Sequence, residues 1–135
     1  DLSRTFVLGR VDGRLREIYR VVEEAQQAAF LAIKPGAGCR EVDLKAREVV
    51  EKAGYGDRFI HGLGHGVGLQ VHEFPRMSRW APEESKLDVG MVVTVEPGVY
   101  IPGLGGIRLE DMVVVTEGGC RVLTRFPKLL EVVNH

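Results

Sequence analysis

Hydrophobic and polar residues change their spacing twice along the chain. From Leu2 to Leu8 the pattern reads as a strand, closed by Gly9 and the turn signal Asp12-Gly13. From Arg14 the spacing becomes three and four. Leu15, Ile18, Tyr19, Val22, Ala25, Ala29 and Ile33 fall on one side, with Arg16, Arg20, Glu23, Glu24 and Gln27 opposite. That pattern predicts an amphipathic helix of about five turns, stopped at Lys34-Pro35-Gly36. A second helix is predicted from about Arg40 to Ala53, with Val42, Ala46, Val49, Val50 and Ala53 inward and Gly54 just past its end. Both helices read as structural. After Tyr55-Gly56 the pattern turns to strands, roughly Phe59–Leu63, Val67–Val71, Met91–Pro97, Gly106–Val115 and Arg121–Thr124. Residues Phe74 to Lys86 are expected to form a charged, proline-bearing loop that holds Trp80. Two helices on one face of a mainly antiparallel sheet make an α+β layout.

Composition narrows the classes. The 135 residues, 44% of them hydrophobic, amount to one domain's worth of chain with a real core. A net charge of −1 gives no electrostatic case for nucleic acid or an anionic membrane. No apolar run approaches the ~18 residues of a membrane span, and no signal-peptide pattern opens the chain. Cys39 and Cys120 stand alone without CxxC spacing, which fits a reducing, cytoplasmic compartment better than a disulfide framework. The chain opens at Asp1 without Met and, by its pattern, in mid-strand, so it is expected to be a piece of a longer protein.

The chemistry concentrates between His61 and Glu73. His61, His65 and His72 are separated by Gly62, Gly64, Gly66 and Gly68, and each glycine would cost about 1 kcal/mol in a helix. A zinc-protease helix is therefore a poor reading, and the Glu of HExxH is missing. On an extended strand, His61, Leu63, His65, Val67, Leu69 and Val71 would share one face and His72 the other. Two acids join them. Glu96 ends a strongly apolar strand that Pro97 stops, and Glu110 lies two residues after Arg108 on one face of its strand, with Ile107 and Leu109 on the other. Taken singly, Glu110 could be neutralised by Arg108, Glu96 could be a solvated strand end, and His65 could be a satisfied interior histidine. Together, one His and two Glu from three strands, with Asp1 on a fourth, suggest ligands for Mn, Co, Fe or Zn. A carboxylate-rich set also suits two bridged metals that activate water.

The stretch His61–Glu73, Thr94-Val-Glu96-Pro-Gly98 and Gly106-Ile-Arg108-Leu-Glu110-Asp resemble the Xaa-Pro dipeptidase (prolidase) and aminopeptidase P branch of the pita-bread metallopeptidases. The opening Asp1-Leu-Ser-Arg-Thr resembles that family's strand bearing its second metal Asp, so the likeness runs along essentially the whole chain. It implies that residues 1–135 are the C-terminal part of a catalytic domain, two helices on a curved sheet. It implies Asp1 and Glu110 as carboxylates bridging two divalent metals, Mn or Co ahead of Zn or Fe. His65 and Glu96 would complete one metal's shell, with Glu96 also moving a proton. His61 and His72 would line the substrate site, and Arg108 would be a supporting or substrate-contacting cation. Glu73 and Glu117 are left as structural or surface residues. The implied reaction is hydrolysis of the peptide bond before proline in a dipeptide or short peptide, through a metal-activated water.

The likeness also carries a departure. The family's further Asp ligand, an upstream histidine and the first half of its pseudo-symmetric fold have no counterpart here. The chain is thus expected to hold at most one metal, weakly, because Asp1 sits on a terminus, with impaired or absent catalysis. Its uncovered sheet edge is expected to favour a homo-oligomer. Methionine aminopeptidase is the weaker neighbouring reading, since His61, His65 and Arg108-Leu-Glu110-Asp look prolidase-like. A metal-free hydrolase would leave Glu96 and Glu110 without a job. A non-catalytic peptide- or partner-binding module of the same fold is the alternative from another class, although every ligand position inside the chain is filled.

Overall fold

Two helices form where the three–four spacing placed them. The computed structural model describes residues 1–128, Leu130 and the backbone of residues 132–133. After a short strand β1 (Val7–Leu8), α1 runs Gly13–Ala32 and α2 runs Cys39–Lys52. The Asp12 carboxylate caps α1 by accepting from the Arg14 amide at 2.7 Å. Glu41 accepts from the Gly38 amide at 3.2 Å at the start of α2. Gly54, at φ +83°, leaves α2 through the left-handed region that an L side chain resists. A single 3₁₀ turn (Gly56–Arg58) leads to β2 (Gly64–Gly66), β3 (Glu73–Met77), β4 (Val92–Val95), β5 (Gly98–Ile101), β6 (Gly105–Arg108), β7 (Asp111–Thr116), β8 (Gly119–Val122) and β9 (Val132–Val133).

The main sheet has the order β3-β2-β4-β7-β8 and is antiparallel throughout. β5 and β6 form a separate antiparallel hairpin, and β1 pairs with β9 in parallel. Ile18, Val22, Ala25 and Ala29 of α1 and Val42, Ala46 and Val50 of α2 pack in one core with Val93, Val95, Val113 and Val115 of the sheet. Strand alternation then turns Thr94 to the face away from the helices. Among the described residues no helix is long and apolar enough to cross a membrane.

The α+β layout stands, but several predicted strands are corrected. Phe59–Leu63 is not a strand. Val67–Val71 is a turn that leaves Leu69 and Val71 exposed, and the strand there is Gly64–Gly66. Glycines flanking His65 let the backbone approach its neighbours closely, so pairing forms around His65 instead of along the aliphatic residues after it. The chain reverses through the turn, and His72 comes back beside His65 with ring centroids 4.2 Å apart, so the two do not lie on opposite faces. The expected loop from Phe74 contains the edge strand β3. Gly106–Val115 is broken into β6 and β7 at Leu109–Glu110. Of Leu2–Leu8 only Val7–Leu8 is ladder strand, with one isolated bridge from Ser3 to Glu110.

The segment from Phe59 to Leu63 is held by α2 in place of a ladder. Arg47 Nε donates to Asp43 Oδ2 at 2.6 Å, Nη1 to the Phe59 carbonyl at 2.7 Å, and Nη2 to the His61 carbonyl. The Leu63 amide donates to Asp43 Oδ1 at 2.9 Å. Burial pushes the Asp43 carboxyl up and Arg47 opposes it, so this pair is fully enclosed and mutually dependent. Breaking one partner strands a buried charge. Arg47→Met is expected to lower stability by about 3–5 kcal/mol in urea denaturation, and Asp43→Leu/Arg47→Met together should cost less than the sum of the two single changes.

Candidate metal centre

The main ladder ends at the pair Val95↔Asp111, and the hairpin ladder begins at Gly98↔Arg108. Between them lie Glu96-Pro97 on one strand and Leu109-Glu110 on the other. Pro97 has no amide hydrogen to donate, and apart from the Leu109 amide on the Pro97 carbonyl at 3.4 Å each irregular segment finds partners elsewhere. The Glu96 amide donates to the Leu63 carbonyl at 2.8 Å, and the Glu110 amide to the Ser3 carbonyl at 3.0 Å. Arg4 donates to the Glu110 carbonyl at 2.6 Å and to Asp111 Oδ1 at 2.6 Å. Those contacts dock the N-terminal segment along Glu110 and bring Asp1 to the site.

His65 arrives from β2. Its amide donates to Thr94 Oγ1 at 3.0 Å, and that hydroxyl donates to Glu96 Oε1 at 3.0 Å. His65 Nδ1 lies 3.0 Å from the Gly66 carbonyl, which requires the proton on Nδ1 and leaves Nε2 facing the acids. A Cβ at Gly64 would overlap the Thr94 carbonyl, and one at Gly66 the Phe74 carbonyl. Only glycine admits these approaches, and β2 shifts register by a bulge between His65 and Gly66.

Asp1, His65 and Glu110 each offer one ligand atom within 4.8 Å of the others. His65 Nε2 lies 3.2 Å from Glu96 Oε1 and 3.8 Å from Asp1 Oδ2. Glu96 is thus brought to His65 but stands outside the tight group of three. Glu110 is 4% exposed, and its Oε2 accepts from Ser3 Oγ at 2.6 Å. A neutral His65 would aim a lone pair at two carboxylates; a proton on Nε2 or a cation among them removes that repulsion. Atoms about 2.1 Å from a common ion sit about 3–4 Å apart, so these residues fit a divalent cation, with imidazole and carboxylate donors of the right chemistry.

The other expected residues line a cleft of about 390 Å³ beside this centre: His61, His65, His72, Glu96 and Arg108, joined by Arg76 and Trp80. That volume is in the range of small-ligand sites. His61 Nδ1 meets the Gly62 carbonyl at 2.7 Å and Nε2 meets the Tyr100 hydroxyl at 2.8 Å. Tyr100 in turn accepts from Arg108 Nη1 at 3.3 Å, so its own proton goes to His61 Nε2. Burial pushes His61 down from its ordinary value; the Gly62 bond pulls the other way, and Arg108 and Arg47 reinforce the lowering. Its ring is therefore neutral with both nitrogens engaged. Arg108 is held above its ordinary range, first by the Tyr100 hydrogen bond. It reaches Glu110 through Ser3 Oγ, to which its Nε donates at 3.1 Å, so Arg108 and Glu110 are linked but not directly paired. Among the described residues His72 has no hydrogen-bond partner for its ring. Glu73 caps the β2–β3 turn by accepting from the Gln70 amide at 2.8 Å, consistent with a structural residue.

Sequence reasoning missed Thr94, Ser3, Tyr100 and Arg76. Thr94 and Ser3 had a signal in retrospect, since each lies two positions or fewer from a candidate ligand on an extended run. Arg76 gave none, because the β3 strand that carries it was read as a loop.

Residues 1–117 match the model of metallopeptidase family M24. An Xaa-Pro dipeptidase of Pyrococcus furiosus is 53% identical over 125 residues, 93% of this chain and 35% of that protein. A dipeptidase structure from Pyrococcus horikoshii superposes with a TM-score of 0.94 at 50% identity, covering 98% of this chain and 37% of the other. An X-Pro aminopeptidase structure from Thermotoga maritima gives 0.93 at 41% identity, covering 98% and 37%. The chain spans about a third of the length of the curated relatives it matches, and it has the fold of their pita-bread domains. With a family match over residues 1–117, the chain belongs to the M24 metallopeptidases.

Proposed function

We propose that the chain forms the C-terminal, ligand-bearing part of the catalytic domain of an Xaa-Pro peptidase that hydrolyses the bond before proline. The observation that carries this reading is the convergence of Asp1, His65 and Glu110, with Glu96 against His65, beside a cleft lined by His61, His72, Arg76 and Arg108. Asp1, His65, Glu96 and Glu110 are the residues that would hold the metal, Mn or Co by preference. A bound divalent cation supplies Lewis acidity and a water acidic enough to act near neutral pH.

The chain's own side chains do the rest. Thr94 holds one Glu96 oxygen, leaving the other to take the attacking water's proton and return it to the departing proline nitrogen. His72, whose ring has no hydrogen-bond partner among the described residues, donates to the scissile carbonyl as charge develops on it. His61, with both nitrogens occupied, fixes Tyr100 and through it Arg108. Arg76, opposite His65 across β2–β3, places a cation in the cleft, suited to the C-terminal carboxylate of a dipeptide. That feature favours dipeptidase over aminopeptidase. Alone, the chain would hold at most one ion and turn over poorly. Cys39 and Cys120 are both free, which supports a reducing, cytoplasmic setting.

Calorimetric titration of the metal-free chain with Mn²⁺ is expected to show about one ion per chain, abolished by His65→Ala; no binding by the parent would overturn the reading. In a chimera where this chain replaces the matching third of the P. furiosus dipeptidase, Arg76→Ala should raise KM for Xaa-Pro dipeptides by about 10–100-fold, as expected for a charge-assisted hydrogen bond worth about 1.5–3 kcal/mol. Tripeptides should be affected less. The depressed His61 value sets a pH signature. The folded state disfavours the charged ring, so the stability it contributes is complete above its ordinary value near 6.5 and is lost as pH falls toward the lower folded value. Thermal unfolding across pH 5–8 should show that loss in the parent and a flatter acid limb in His61→Gln.

A further inference from the structure

Two buried carbonyls, Val95 and Leu109, flank the interruption of the ladder between Val95↔Asp111 and Gly98↔Arg108, where Pro97 offers no amide hydrogen. Each belongs to the residue immediately before a proposed metal carboxylate, Glu96 and Glu110. Both carbonyls are answered by one side chain from α1. Gln26 is 0% exposed, and its Nε2 donates to the Val95 carbonyl at 2.8 Å and to the Leu109 carbonyl at 3.2 Å.

The orientation of that amide is dictated by its surroundings. Two carbonyls on one side demand the NH₂ group, and on the other side Lys128 Nζ donates to Gln26 Oε1 at 2.7 Å. Lys128 is itself held, its Nζ 2.7 Å from Asp111 Oδ2, while Asp111 Oδ1 takes the Arg4 guanidinium. Gln26 is therefore locked at both ends and spans the two strands where the one backbone bond across them is the long Leu109 N–H to Pro97 carbonyl contact of 3.4 Å. An amide with two donors at a fixed angle sets the distance between those carbonyls, and the next residue on each strand is a glutamate that points to the opposite face of the sheet.

We propose that Gln26 is a positioning residue for the metal centre. From the helix side it fixes the separation of the strand segments that carry Glu96 and Glu110, with Lys128 orienting its amide. The inference rests on the reading of those glutamates as metal ligands. It differs from the bland role of a satisfied core amide, which would affect stability and nothing else.

Gln26→Met keeps the volume and removes both donors. Val22→Ala, one turn earlier on the same helix and equally buried, serves as a control that weakens the core without touching the carbonyls. Mn²⁺ affinity of the 135-residue chain is measured by electron paramagnetic resonance titration, well below each variant's thermal midpoint. Gln26→Met is expected to weaken Mn²⁺ binding by about 10–100-fold, the range for residues that orient metal ligands, while Val22→Ala stays close to the parent. Equal affinity in Gln26→Met and parent, or equal weakening in both variants, would overturn the inference and leave the metal centre standing. A parent that binds no Mn²⁺ would overturn the metal-centre reading and this inference with it. Should Gln26→Met fail to fold, Gln26→Asn keeps a polar amide too short to span both carbonyls, and the same weakening is expected of it.

Discussion

The constraint on which this structure turns is that buried backbone polar groups must be paired. Over most of the sheet the ladder does this. Between Val95 and Gly98 on one strand, and between Arg108 and Asp111 on its partner, it does not. Pro97 removes one donor, although the Leu109 amide still reaches the Pro97 carbonyl at 3.4 Å. Other groups at the interruption are met from outside the pair: Glu96 N–H by Leu63, Glu110 N–H by Ser3, the Glu110 carbonyl by Arg4, and the Leu109 carbonyl by Gln26, which also reaches the Val95 carbonyl. The opening thus fastens the N-terminal segment, the His61–Leu63 segment and α1 to one point. The two glutamates project from the same point.

A second level of the same logic acts on the histidines. Phe59–Leu63 has no ladder partner of its own, so its carbonyls and the Leu63 amide are met by Arg47 and Asp43 on α2. A buried ion pair is weak evidence for stability, since desolvation offsets most of its attraction. Here its five-donor guanidinium has a geometric use: it fixes a coil segment that must be irregular to turn His61 toward Tyr100. Gly64 and Gly66 then let β2 close against Thr94 and Phe74, and His65 reaches Glu96.

How much of this was legible in the sequence depends on which signal carried it. The helices were read well, because Ile18, Val22, Ala25 and Ala29 repeat at helical spacing over many turns and burial follows that spacing. Of the residues singled out by type, His61, His65, His72, Glu96 and Arg108 line one cleft, and Glu110 lies near His65. The strands around them were read poorly. Aliphatic residues in Val67–Val71 mimicked a strand, whereas the pairing lies at Gly64–Gly66, where composition argues against a strand. Gln26, Asp43 and Arg47 were invisible for a different reason. A polar residue on a helix reads as solvent-facing unless the hole it fills is known, and that hole is a break in a sheet some seventy residues later in the chain (Gln26 to Val95).

That dependence explains how candidate ligands drawn from four separate segments can share one geometry. Three of them are oriented by a bond of their own: Glu110 by Ser3, Glu96 by Thr94, and the His65 ring by the Gly66 carbonyl. Local bonds fix the direction of each side chain, but they leave the distance between segments free. Distance is set by groups that span segments, namely Arg4 across the N-terminal segment and β7, Thr94 between β2 and Glu96, and Gln26 across the two strands at Pro97. Packing in the apolar core cannot supply this, because hydrophobic contact is non-directional and tolerates small shifts, while a coordination shell tolerates displacements of only about half an ångström. The polar residues inside this domain are accordingly placed where strand pairing stops, and the candidate metal centre sits on the other side of that break.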